Sequence, residues 1–278
     1  MSFNLGVDGL FGVKGKVVLV TGGGKGLGRM ISEGFVRNGC KVYISSRDAA
    51  ACDAAAKELT ISGKPSGGSA VSLPADLSSY EECKRLAAEI SSREKGKLNI
   101  LVNNSGANWG APYDSYPDAA FSKVLTLNTQ RVFSLSQLLT PLLEKAAQES
   151  KDSNGNITDP GRIIHIGSID GIRVPTLGTY AYSASKAALH HMSRHMAVEL
   201  GPRGVTSNTL ACGPFPSKMM AATLKNFGEQ IVGSNPMGRI GTPEDAAGAC
   251  LFLSSRAGAF VNGATLRLDG GTSLVSKI

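Results

Sequence analysis

From Lys16 onward, short runs of consecutive apolar residues alternate with stretches of helical periodicity. KVVLVT (16–21) is β-branched and runs straight into glycines. Residues 26–38 place Leu27, Met30, Ile31, Gly34 and Phe35 on one helix face, and Asn38-Gly39 ends the helix. KVYIS (41–45) follows as a strand, and SAVSLP (69–74), NILVNN (99–104), RIIHIG (162–167), VTSNTL (205–210) and ATLRLD (264–269) complete a set of seven. The spacing predicts further helices over 48–59, 79–93, 119–148, 180–200 and 243–253. Strands that are apolar throughout are buried on both faces. Alternated with helices, they predict a single doubly wound α/β (Rossmann-type) domain around a seven-stranded parallel sheet. No linker interrupts the rhythm, so 1–278 reads as one domain, with 14–278 as its core and 1–13 as an N-terminal extension. The polar stretch SKDSNGNITDPG (150–161) reads as an exposed loop.

Composition narrows the function classes. Lys and Arg exceed Asp and Glu by seven, but the basic residues are scattered singly. That favours an anionic small molecule over nucleic acid. Five cysteines (40, 52, 83, 212, 250) without a CxxC fit reduced thiols in the cytoplasm rather than a disulfide framework or a zinc site. No run of 18 apolar residues predicts a membrane span, and residues 1–14 lack the apolar core of a signal peptide. The end of the chain, Ser276-Lys277-Ile278, is an imperfect version of a peroxisomal address, which matters only if the source is eukaryotic.

Thr21-Gly22-Gly23-Gly24-Lys25-Gly26-Leu27-Gly28 joins the first strand to the first helix. A glycine pattern alone is weak, but this one sits between strand and helix in a βαβ unit. Gly22 permits a tight turn, Gly26 lets the backbone approach a pyrophosphate, and Gly28 lets helix pack on strand. The second strand ends in Ser46 and Arg47, where NAD binders carry a carboxylate for the ribose 2′-hydroxyl. Lys25 and Arg47 without that carboxylate suit a 2′-phosphate, hence NADP. Asp48 reads as the cap of the next helix. Asp76, at the end of the third strand, either accepts from an adenine amino group or serves turn chemistry.

Tyr182-Ser183-Ala184-Ser185-Lys186 places a phenol and an ammonium on one helix face. A nearby cation favours the phenolate and would lower the pKa of Tyr182. The motif recurs at Tyr80–Lys84, where Glu81 and Glu82 mark a solvated face. Context separates the two. Ser168 at a strand end, Asn128 in the long helix and Asn104-Ser105-Gly106 after the fourth strand all belong to elements that meet at the carboxyl edge of such a sheet.

In this order, TGGGKGLG, NNSG, Asn128, Ser168, YSASK and LDGG resemble the short-chain dehydrogenase/reductase family from Lys14 to the C-terminus. The resemblance implies Tyr182 as general acid/base, Lys186 as its electrostatic partner and ribose contact, Ser168 as carbonyl anchor, and Asn128 as holder of a proton-relay water. It implies a cofactor set of Gly22, Gly24, Lys25, Gly26, Leu27, Ser46, Arg47, Asp76, Leu77, Asn104, Gly106, Tyr182, Lys186, Gly213, Phe215 and Ser217. Substrate would meet Ser168 and Tyr182, under a lid over 213–238, in a homotetramer; Trp109, after the NNSG turn, either walls the substrate site or plugs the edge of the crevice. Cys212 stands where the family has Pro, which puts the rigidity of that turn in question. NSGANWGAPYDSYP, ACGPFPSKM and NPMGRIGTPED are similar to a 3-oxoacyl-ACP reductase subgroup associated with rhamnolipid synthesis. The expected reaction is NADP(H)-dependent reduction of a ketone, best a 3-oxoacyl thioester. Alternatives are a carbonyl or polyol reductase of the same family, or an NADP-sensing protein without turnover. His190, His191 and His195 read as packing or interface residues rather than metal ligands, His165 as a satisfied core residue, and Cys212 as no nucleophile.

Overall fold

The protein is described here by a computed structural model covering residues 4–275; the Ser276–Ile278 tail lies outside them. A one-turn helix, α1 (Val7–Phe11), in the N-terminal extension precedes the sheet. Then follow β1 (Val17–Thr21), α2 (Gly26–Arg37), β2 (Lys41–Ser45), α3 (Ala49–Gly63), β3 (Ser69–Ser72), α4 (Tyr80–Arg93) and β4 (Ile100–Asn103). After them come α5 (Asp118–Leu125), α6 (Arg131–Gln148), β5 (Gly161–Ile166), α7 (Tyr180–Leu200), β6 (Val205–Cys212), α8 (Ala221–Gly233), α9 (Pro243–Ser254) and β7 (Thr265–Leu268). The strands are all parallel in the order β3-β2-β1-β4-β5-β6-β7.

Alternate residues of each strand serve opposite faces. Val18 and Val20 join α2, α3 and α9 through Ile31, Phe35, Leu59 and Cys250, while Val17 and Leu19 join α4, α6 and α7 through Leu86, Leu139 and Met196. That is why the strand sequences are apolar without alternation. The order reverses between β1 and β4, which opens a crevice at their carboxyl ends.

Two expectations change. The helix predicted over 119–148 is broken: α5 and α6 are joined by a π turn, Thr126–Gln130, with Asn128 at its centre. α3 runs on to Gly63, and Asp48 caps it as expected by accepting from Ala51 N–H at 3.0 Å. The 150–161 segment forms a small turn closed by the Lys151–Ile157 bridge.

At the opposite edge of the sheet from the crevice, a buried cation pair finishes α9. Arg162, 1% exposed, donates to Leu253 O at 3.0 Å and Ser255 O at 2.9 Å, and Lys16 donates to Ser254 O at 2.9 Å. Both cations meet Asp159. These carbonyls are the ones a helix end leaves without partners. Arg162→Met leaves them and Asp159 with less compensation, so the expected loss of stability is about 3–5 kcal/mol. A urea midpoint equal to wild type would contradict this.

Candidate active site

The glycine loop is shaped for close approach. Gly22 and Gly26 have φ of +66° and +51°, which side chains rarely tolerate. A Cβ on Gly28 would lie 2.3 Å from Gly22 O and 2.4 Å from Asn104 Nδ2. Lys25 begins α2 without a side-chain cap, so the first-turn N–H groups remain available to an anion at the crevice. Thr21, which the sequence reading assigned no role, is the latch. Its Oγ1 accepts from the N–H groups of Asn104 and Ser105, both at 2.9 Å, and Asn104 Nδ2 donates back to Thr21 O at 2.8 Å. The NNSG turn is thereby bound to the glycine loop. Gly106 faces inward, since a Cβ there would lie 3.2 Å from Asn128 Oδ1 and 3.8 Å from Lys186 Nζ.

Around the end of β2, Lys25 lies 3.4 Å from Asp48 in an exposed pair, and Ser46 Oγ donates to Asp48 O at 3.1 Å. Asp76 serves turn chemistry: its Oδ1 accepts from Ser78 N at 3.0 Å and Ser78 Oγ at 2.8 Å. The Ser78 N–H holds that carboxyl below its ordinary pKa. Two residues assigned to the cofactor turn their side chains away. Leu77 belongs to the α4–α6 core, and the Phe215 ring packs against Gly241. Leu27 also packs on the core, and Gly24 faces Ala55 of α3. Any contact that Leu77 and Phe215 make to a dinucleotide comes from backbone.

At the reacting end, α7 starts at Tyr180 and carries Tyr182 and Lys186 one turn apart, with the ammonium 5.5 Å from the ring centroid. Lys186 Nζ donates to Ile166 O at 2.7 Å, which ties the helix to the end of β5. Ser168 follows that strand and caps a short 3-10 turn, accepting from Asp170 N at 3.1 Å. Asn128 is buried, and its amide is spent inside the protein. Oδ1 accepts from Ala107 N at 2.8 Å, while Nδ2 donates to Ala107 O at 2.9 Å and Ser185 Oγ at 3.0 Å. Ser185 Oγ donates in turn to Tyr182 O at 2.7 Å. Asn128 therefore fixes the Tyr182–Lys186 turn of α7 against the NNSG loop.

The electrostatics correct one expectation. Burial pushes the Tyr182 phenol up to about 12, with the Ser168 hydroxyl pulling the other way, and pushes Lys186 down to about 8. The phenol stays above its ordinary value with Lys186 nearby, because desolvation outweighs the pull of the cation. The result is a phenol that keeps its proton at neutral pH.

The remaining candidates sort by position. Trp109 is 45% exposed, and its carbonyl accepts from Tyr116 OH at 3.1 Å. Tyr113 and Tyr116 meet Tyr180 edge-on at 5.7 and 5.6 Å, so an aromatic rim stands two residues before Tyr182. Cys212 ends β6 with its thiol pushed up to about 12 by burial, which leaves no nucleophile. Its turn is held without proline: Gly213 N donates to Leu268 O at 2.9 Å, and a Cβ on Gly213 would lie 2.9 Å from Asp269. Ser217 sits over the glycine loop, its Cβ 3.0 Å from where one on Gly26 would be. Tyr80 lies on an exposed face with Lys84 over its ring, and Lys84 pairs with Glu81 at 2.7 Å. His191 and His195 stack edge to face at 5.5 Å on the outer side of α7. His165 is a satisfied core residue. Asn103 Nδ2 can only donate to its Nδ1 at 3.3 Å, so Nε2 carries the proton toward Ser207 Oγ at 3.2 Å.

A doubly wound sheet, a glycine-lined helix end and a Ser–Tyr–Lys set past the carboxyl end of β5 define a dinucleotide-dependent oxidoreductase. The chain belongs to the short-chain dehydrogenase/reductase family. A family model described as Enoyl-(Acyl carrier protein) reductase matches residues 22–273. A rhamnolipids biosynthesis 3-oxoacyl-[acyl-carrier-protein] reductase of Pseudomonas aeruginosa is 41% identical over 269 residues, 95% of this chain and 98% of the relative. The solved Pseudomonas aeruginosa RhlG/NADP active-site complex superposes with a TM-score of 0.85 at 39% identity, covering 95% of this chain and 99% of that one. A 7alpha-hydroxysteroid dehydrogenase of Escherichia coli is 33% identical over 258 residues, 92% of this chain and 94% of the relative.

Proposed function

We propose that this protein uses NADPH to reduce the ketone of a 3-oxoacyl thioester to a secondary alcohol. The observation that carries the reading is the half-buried phenol of Tyr182, set beside the Ser168 hydroxyl and one helical turn from Lys186. The names of the 41% identical relative and of the RhlG/NADP complex support the substrate class and the cofactor.

When bound, NADPH supplies a hydride from nicotinamide C4 to the carbonyl carbon. Tyr182 donates its proton to the oxygen as negative charge develops there. Ser168 accepts from Asp170 N–H, which leaves its own hydroxyl proton to donate to that same oxygen. Lys186, with its pKa near 8, is mostly cationic at neutral pH and stabilises the phenolate that Tyr182 becomes. The Asn128 amide is spent on Ala107 and Ser185, so its side chain positions α7 rather than holding a relay water. Lys25, Arg47 and Ser46 receive the 2′-phosphate. The first-turn N–H groups of α2 receive the pyrophosphate.

The segment 213–238 acts as a lid in this reading. No residue of α8 is buried, and Met219, Phe227 and Met237 stand exposed along this segment. The assembly proposed is a cytoplasmic homotetramer, supported by the exposed Phe260 and Leu266 near the edge strand β7. A mass near 28.8 kDa by light scattering would rule the tetramer out. Among the described residues no helix is long and apolar enough to cross a membrane.

The test is a substrate panel with NADPH. Acetoacetyl-CoA and longer 3-oxoacyl-CoA esters should give the highest kcat/KM, above cyclic ketones, small aliphatic ketones and ketosteroids. A cyclic or small ketone outperforming every thioester would replace the substrate class while leaving the oxidoreductase intact.

A further inference from the structure

We infer that His190 is a positioning residue, which aims the Ser168 hydroxyl by accepting a hydrogen bond from the Ser168 main-chain N–H. This rests on the ketone-reductase reading for its kinetic test, but not for its geometry.

His190 lies four residues after Lys186 and eight after Tyr182, on the same stripe of α7. It is 4% exposed. Its Nε2 stands 3.4 Å from Ser168 N. The N–H can only donate, so Nε2 must be unprotonated and any ring proton sits on Nδ1. The ring is also gripped by the loop it serves. A Cβ on Gly167 would lie 2.3 Å from Nε2, and one on Gly171 would lie 2.9 Å from Cε1. Glycines on both sides of Ser168 thus let the loop close down on the imidazole.

The bonds of Ser168 show why this matters. Its carbonyl accepts from Gly171 N at 3.0 Å, and its Oγ accepts from Asp170 N at 3.1 Å. Its N–H goes to His190. Every main-chain polar group of Ser168 is fixed, and the hydroxyl proton alone is left to turn toward a carbonyl. Removing the His190 acceptor leaves a buried N–H without a partner and lets the residue rotate. Burial, Lys186 and Arg194 hold the ring in its neutral form, with a pKa near 4, which preserves the acceptor at neutral pH.

The test separates positioning from packing. His190→Leu fills the space without an acceptor; His190→Gln keeps an acceptor at about the reach of Nε2. With acetoacetyl-CoA and NADPH, the Leu variant should lose about tenfold in kcat, as expected for one orphaned buried donor, with KM for NADPH unchanged. The Gln variant should stay within about threefold of wild type on the same principle. In a Ser168→Ala background, His190→Leu should cost less than about twofold, because the group it aims is gone. If the Leu variant does not fold, His190→Asn, too short to reach, takes its place. Equal losses in both Ser168 backgrounds, or no loss in the Leu variant, would overturn the inference. Long-range proton–nitrogen NMR of the wild-type ring provides a test that needs no turnover. A neutral ring protonated on Nδ1 is expected, and one protonated on Nε2 overturns the inference whatever the substrate proves to be.

Discussion

Tyr182→Phe should lower kcat for ketone reduction by at least about 10²-fold, while NADPH still binds. The variant removes one oxygen from a site where no other group can take its place. In the proposed mechanism Ser168 polarises the carbonyl, and its hydroxyl is a far weaker acid than the phenol. Lys186 directs one N–H to Ile166 O, and its ammonium is needed to balance the phenolate. Burial holds the phenol near 12, so wild type presents a full proton at neutral pH, and the fall on substitution reflects loss of the acid rather than a change in its ionisation. Tyr80→Phe is the control. It shares the Tyr-x-x-x-Lys spacing, yet Tyr80 lies on the exposed face of α4 with Lys84 paired to Glu81. Its turnover should match wild type, and the reverse pattern would move the active site.

The double change Ser46→Asp with Arg47→Ala should turn a preference for NADPH into one for NADH. The wild-type preference expected is about 10²-fold in kcat/KM, from two charge-assisted contacts to the 2′-phosphate. Lys25 must leave Asp48 to make one of them, and at 3.4 Å in an exposed pair it gives up little to do so. Asp48 is already committed as the cap of α3 through Ala51 N–H, so it does not offer NADH the ribose acceptor that position 46 lacks. An Asp at 46 supplies that acceptor and repels the phosphate, and loss of Arg47 removes the clamp. Both cofactors are compared on one ketone. A wild-type enzyme that favours NADH would show that another group governs the ribose.

The sheet was legible in the sequence because strands buried on both faces leave runs such as VVLV and ILVN that no surface helix needs. Helix α7 was placed to the residue, since its ends are marked by Thr179 and by Leu200-Gly201-Pro202. The π turn at Asn128 was not, because TLNTQ favours helix on either side and a one-residue change of register has no residue-type signature. Residue pairs far apart in the chain were equally hidden. Thr21 meets Asn104 across 83 residues, and Asn103 meets His165 across 62. The sign of the Tyr182 shift failed for a similar reason, since depth of burial decides it and spacing on a helix does not report depth. Phe215 and Leu77 sit in the expected segments, but which way each side chain turns is set by packing on Gly241 and α4. His190 did leave a signal: it continues the Tyr182–Lys186 stripe by one more turn of four.

In the proposed reaction, hydride passes from the nicotinamide to a ketone carbon while Tyr182 protonates the oxygen. This transfer is tested most directly with acetoacetyl-CoA and NADPH carrying deuterium at one or the other C4 position. From one of the two labelled cofactors, the account predicts a 3-hydroxyacyl product with deuterium on carbon 3 and none released to water. A product with no deuterium at carbon 3 from either cofactor, or label appearing in the solvent, would contradict it.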